Sequence, residues 1–169
     1  MAGFLPWTHN AGVSRFPPHL QEAFARFTAQ PTLLNEAVSG LGAGGLNRRL
    51  PGEDWSIRDV IVHLADSELV TAVRVRMVLS EDAPALPGYD GEVWKRRLHY
   101  LWRSPETALS LFQQVRFATG EILQQCDVAA WARTGLHPTS GEVTLGAILE
   151  EAVWHAEDHL GQIARIREA

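Results

Sequence analysis

An apolar stripe of helical period runs through the C-terminal part of the chain. Leu145, Ile148, Leu149, Ala152, Ala156, Leu160 and Ile163 recur at spacings of mostly three and four, which puts them on one face of a helix. A face that long has to be buried against elements of matching length, and three other segments qualify. Leu20, Phe24, Phe27, Leu34 and Val38 mark a first helix over 18–40. Ile57, Val60, Ile61, Leu64, Val75 and Val78 carry a second to about Leu79. Leu109, Phe112, Val115, Phe117, Ile122 and Leu123 carry a third to about Gln125. No segment alternates as a strand would, and glycine and proline fall mainly between the helical patterns. The expected fold is all-α, a four-helix bundle. It forms one domain over 1–169, with residues 1–16 as an N-terminal arm and long connections after helices two and three.

The helix ends carry their own signals. Pro17-Pro18 opens the first helix, Pro31 can kink it, and the run Gly40–Gly45 stops it. Ser56 and Asp59 form a capping box at the second, with Trp55 placed to staple against Val60. Ser104-Pro105 starts the third, and Thr144 caps the fourth, with Val143 and Ile148 as its staple pair. Arg165 and Arg167 suit the negative end of the last helix. Between helices two and three, Pro84, Pro87 and Gly88 mark a loop. Tyr89, Trp94, Tyr100 and Trp102 follow, with a short helix over 90–99. So long a connection suits a crossover, and its aromatics either wall a pocket or cover the core. Residues 126–143, with His137-Pro138 and Gly141, make the second long connection.

Charge and cysteine usage narrow the function. A formal net charge of −5 disfavours a phosphate-driven nucleic-acid binder. One cysteine, Cys126, excludes an internal disulfide and suits a reducing compartment. No apolar run is long enough to span a bilayer, and the N-terminal residues lack the regions of a signal peptide. The expectation is a cytoplasmic protein acting on a small molecule.

His155 and His159 lie on or beside the apolar stripe of the last helix, four residues apart, so both imidazoles share a face. His63, at the edge of the second helix's apolar face, is the third candidate. Three neutral imidazoles leave a metal with an open position, the arrangement of catalytic zinc centres. A lone histidine at a helix edge is more often structural, and an HxxxH pair is weak by itself. A zincin protease is disfavoured because Ala156, not Glu, follows His155. Asp66, Glu68 or Glu151 can orient a ligand imidazole, and Glu68 or Glu151 can serve as acid or base, although such residues usually face water. Gln162 lies one turn from His159 and can hydrogen-bond a bound water or a neighbouring helix. Arg74 or Arg76 can meet an anionic group. His137 is a reserve ligand. His9, His19 and His99 have no matching partner spacing, and Cys126 has no nearby base that would make it a nucleophile.

The segment His63-Leu-Ala-Asp-Ser-Glu68, preceded by Trp55-Ser-Ile-Arg-Asp59, closely resembles the first signature of the DinB-like superfamily, also called the DinB/YfiT-like metalloenzymes. Its second signature, HxxxHxxQI, is matched by His155, His159, Gln162 and Ile163. The resemblance extends to Tyr89-Asp90 with Trp94, to Arg133–Pro138, and to the spacing of all four helices. It implies a four-helix bundle in which His63, His155 and His159 bind zinc or nickel, with water completing the shell, often in a homodimer. The family's name carries no DNA-binding mechanism. Characterised relatives include bacillithiol and mycothiol S-transferases, so the resemblance points first to a metal-dependent thiol S-transferase. There a low-molecular-weight thiol would fill the open position and lose its proton. A metal-dependent hydrolase is the second expectation, and a non-catalytic, metal-stabilised stress-response or binding protein the third.

Overall fold

A computed structural model describes residues 16–169. The expected arm over 1–16, apart from Phe16, and His9 lie outside the described residues. The elements run α1 (Pro18–Val38), α2 (Ala43–Leu46), α3 (Ile57–Ser80), α4 (Gly91–Arg97), α5 (Pro105–Gln124), β1 (Thr134–His137), β2 (Gly141–Thr144) and α6 (Leu145–Glu168). The four long helices are those marked by the apolar stripes. Their caps form as the side chains require. The Asp59 N–H donates to Ser56 Oγ at 3.2 Å and the Ser56 N–H to Asp59 Oδ2 at 2.9 Å. Ser104 Oγ accepts from the Thr107 N–H and Thr144 Oγ1 from the Ala147 N–H, both at 3.0 Å. Pro31 does not split α1, which continues through it with the proline ring buried.

Around the bundle the helices follow the order α1, α6, α3, α5. Consecutive helices α1 and α3 therefore sit at opposite corners, as do α5 and α6. Contacts along their lengths give the directions. Leu20 faces Gly146 and Gln30 Nε2 donates to the Val153 carbonyl, so α1 and α6 run parallel. Arg103, just before α5, pairs with Asp66, while Arg76 further along α3 reaches Thr119 in the last turns of α5. Hence α3 and α5 are also parallel. Arg133, whose carbonyl accepts from the Leu145 N–H at the start of α6, donates to the Val78 carbonyl near the end of α3 at 2.7 Å, which sets α6 antiparallel to α3. Parallel neighbours require a connection that returns the length of the bundle, so residues 81–104 form the expected crossover.

The second long connection departs from the sequence reading. It holds a β-hairpin with the register Thr134↔Thr144 to His137↔Gly141. Gly141 turns it with φ +74°, a conformation costly for residues with a Cβ. The hairpin is tied to the crossover by the Leu86 N–H to the Leu136 carbonyl, 2.9 Å, and the Leu136 N–H to the Pro84 carbonyl, 2.8 Å. Strands of four residues are too short for alternation to register, and the segment that anchors the hairpin, at Pro84 and Leu86, lies fifty residues upstream.

Candidate metal centre

The antiparallel pairing of α3 with α6 brings His63 to His155 and His159. His63 Nε2 lies 3.0 Å from His155 Nε2. Ring centroids are 5.0 Å apart for His63–His155, 4.8 Å for His63–His159 and 4.7 Å for His155–His159. One nitrogen from each ring lies within 4.8 Å of the others. Two nitrogens bound tetrahedrally at about 2.0–2.1 Å from one ion stand about 3.3–3.4 Å apart, so the three imidazoles are close to ligating positions. Gln162 settles the orientation of His159. Its Oε1 lies 2.8 Å from His159 Nδ1, an acceptor that keeps the proton there and leaves Nε2 as the donor pair facing inward.

The electrostatics match. Burial pushes His63 down to about 4 and His155 down to about 3, with the neighbouring His159 adding to both. His159 is lowered as well, chiefly by burial, against an opposing hydrogen bond to Gln162. Three imidazoles held neutral, with their nitrogens converging, form a donor set that fits a divalent ion. Protonation in the metal-free protein has a definite sign. The folded values lie below the 6.5 of a free imidazole, so the unfolded chain binds more protons. Metal-free stability should therefore be full above about pH 6.5 and fall as pH drops toward the folded values. The slope is at most about 1.4 kcal/mol per pH unit for each imidazole. Denaturant melts in chelator at pH 7 and pH 5 will show the loss, and His155→Gln will shrink it. A flat profile would contradict burial of neutral imidazoles.

Aromatic side chains wall the site. Trp55, placed in sequence as a helix staple, sits with its ring 5.2 Å from that of His63 and 6.4 Å from that of His159. Its indole N–H donates to Glu92. Tyr89 from the crossover packs 6.0 Å from His63 and 4.8 Å from Trp94. The crossover aromatics divide between the two expected roles. Tyr89 lines the site, Trp94 packs against Tyr89 and the core, Tyr100 is wholly buried in the core and Trp102 is exposed. Gly91, which the sequence reading passed over, is pressed against the site. A Cβ there would lie 3.2 Å from His63 Cε1 and 3.6 Å from Nδ1. Gly91→Ala should displace the His63 ring and weaken metal binding about tenfold, while thermal stability shifts little; titration calorimetry and melting curves check both.

Other expected site residues are placed elsewhere. The expectation that Asp66 or Glu68 orients a ligand imidazole is corrected. Asp66 Oδ2 accepts from Arg103 Nη1 at 2.6 Å, and Glu68 Oε2 accepts from Arg116 Nη2 at 2.6 Å inside the bundle. Among the described residues, His63 Nδ1 has no hydrogen-bond partner. His137, the reserve ligand, stands apart from the three imidazoles. With Arg74, Tyr89 and Glu151 it lines an adjoining cleft of about 620 Å³. Arg76 is engaged by the Ala72 carbonyl and Thr119 Oγ1. Cys126 is buried, and burial pushes its thiol up, the opposite of activation. Arg116 escaped the sequence reading, although its position four residues after Phe112 on the apolar face of α5 was a visible signal.

The family model for the DinB superfamily matches residues 26–163. A protein of Oceanobacillus iheyensis named "Putative metal-dependent hydrolase" is 29% identical over 137 residues, 80% of this chain and 78% of that protein. "Putative metal-dependent hydrolase YfiT" of Bacillus subtilis is 28% identical over 137 residues, 80% of this chain and 77% of that protein. The solved structure of Bacillus subtilis YfiT, described as an "unusual four-helix bundle topology", superposes with a TM-score of 0.84 at 24% identity. That superposition covers 96% of this chain and 92% of that one. The diagonal placement of α1 against α3 and of α5 against α6 is therefore part of a shared fold.

Proposed function

We propose, from the premise that this chain belongs to the DinB superfamily, that it is a metal-dependent hydrolase whose ion is held by His63, His155 and His159. The observation that carries the reading is the convergence of three neutral imidazole nitrogens, from α3 and α6, on one point. Relatives matched across more than three quarters of their length carry the name "Putative metal-dependent hydrolase", which supports it. A divalent ion in that position supplies Lewis acidity and a nucleophile near neutral pH. The chain's own residues do the rest. Gln162 orients His159. Trp55 and Tyr89 wall the site and limit water. The second helix of the site, α6, presents His155 and His159 one turn apart so that both reach the same point. Zinc and nickel both suit the imidazole set.

A thiol S-transferase uses the same centre and is the second reading. Among the described residues no carboxylate joins the group of three imidazoles, and thiol transfer needs none, since the metal alone lowers the thiol pKa. One experiment separates the two. Protein purified without a histidine tag is analysed for metal, then assayed with activated esters and amides, and with a bromobimane electrophile, each with and without a low-molecular-weight thiol. Hydrolysis that needs no thiol, is lost to chelator and falls at least about a hundredfold in His155→Ala is the expected result. Turnover only with added thiol assigns the transferase. Metal binding without any turnover assigns a metal-stabilised binding protein instead.

A further inference from the structure

We propose that the cleft beside the three imidazoles binds a zwitterionic, amino-acid-like part of the substrate, with Glu151 receiving its ammonium and Arg74 its carboxylate. The inference rests on the metal-enzyme reading and adds the substrate class to it. The cleft measures about 620 Å³, within the range of small-molecule sites. It adjoins the centre directly: Tyr89 lines it and packs 6.0 Å from His63, and Glu151 stands one helical turn before His155.

Arg74 is fixed in place. Its Nε and Nη2 donate to the Pro87 carbonyl at 3.0 and 2.7 Å, and Nη2 lies 2.9 Å from His137 Nε2. His137 is held in turn, its Nδ1 3.1 Å from Thr139 Oγ1. The Thr139 and Ser140 N–H groups also donate to His137 Nδ1, at 3.4 and 3.2 Å. The remaining guanidinium nitrogen, Nη1, has no partner among the described residues. Glu151 has neither a hydrogen bond nor an ion pair among the described residues, although it feels the charge of Arg74. Opposite charges thus face one cleft without closing on each other. A ligand of a single sign would be repelled by one of them, and an uncharged one would gain charge pairing from neither. A ligand carrying both signs satisfies each. The planar guanidinium suits a carboxylate, and the carboxylate of Glu151 suits an ammonium.

The test compares two hydroxamates that share one metal-binding head. Glutamic acid γ-monohydroxamate carries a zwitterionic tail, and butyrohydroxamate carries none. Calorimetry on the metal-loaded protein should find the zwitterion bound at least about tenfold more tightly. Arg74→Met and Glu151→Gln should each bring its affinity down toward that of butyrohydroxamate. Equal affinities in the wild-type protein, or a preference that survives both substitutions, would overturn the proposal while leaving the metal centre standing. Failure of both hydroxamates to bind would overturn the metal-enzyme reading and this inference with it.

Discussion

Replacing Arg116 with methionine is expected to destabilise the bundle by about 3–5 kcal/mol at neutral pH, which lowers the melting temperature on the order of 10 °C. The guanidinium is buried where all four long helices meet. It donates to Glu68 on α3 at 2.6 Å, to Gln30 Oε1 on α1, and to the Ala152 carbonyl on α6 at 3.5 Å. Its planar head lies over the rings of Phe27 and Phe112, 4.1 and 4.7 Å from their centroids. Methionine has the volume to fill much of the space, so packing is not the main loss. The cost comes from Glu68, left ionised in an apolar interior with no cation. Burial already raises the Glu68 carboxyl above its ordinary range, opposed by Arg116, and without Arg116 it rises further. A group whose folded pKa exceeds its unfolded value contributes stability at low pH that is lost as pH rises through the folded value. The variant should therefore recover stability relative to wild type as pH falls toward 5. Arg116→Met combined with Glu68→Leu should be more stable than Arg116→Met alone, because it removes the stranded charge. Denaturant melts of the single and double variants at pH 5 and pH 7 check both points. A single variant as stable as wild type would mean the pair holds no structural role.

That arginine also marks where sequence reasoning ends. The four long helices were legible because each must bury an apolar stripe, and Ser56, Ser104 and Thr144 state their starts in side-chain chemistry. The pair His155 and His159 was legible because helical spacing is local. His63 joined them through its position on a second apolar face and through the family signatures, and the structure brings all three together. What the sequence could not state is non-local. The parallel course of α3 and α5 depends on which helices touch. The hairpin of β1 and β2 depends on Pro84 and Leu86, far upstream. Gly91 matters only because the crossover returns it to His63. Asp66 and Glu68 follow His63 in sequence, yet helical rotation turns them toward Arg103 and Arg116. Proximity along the chain suggested an orienting role that the geometry assigns to Gln162.

The largest functional effect is expected from His155→Ala. In the wild-type protein, saturating zinc or nickel at a thousand times its dissociation constant should stabilise the fold by about 4 kcal/mol, raising the melting temperature on the order of 10 °C. His155 is central to that gain, since its Nε2 lies 3.0 Å from that of His63 and its ring contacts both other imidazoles. Removing it leaves His63 and His159 on different helices with one ligand fewer, and the metal-induced shift should vanish at the same metal concentration. Metal-free, the variant should unfold within a few degrees of wild type, because an alanine there no longer buries a neutral imidazole that the unfolded chain would prefer to protonate. The contrast between an intact metal-free fold and a lost metal response is what separates a ligand from a packing residue. Thermal melts with and without metal, run beside chelator-treated wild type, measure it. A variant that keeps the full shift would show that the ion binds elsewhere, and the three-imidazole centre would have to be abandoned.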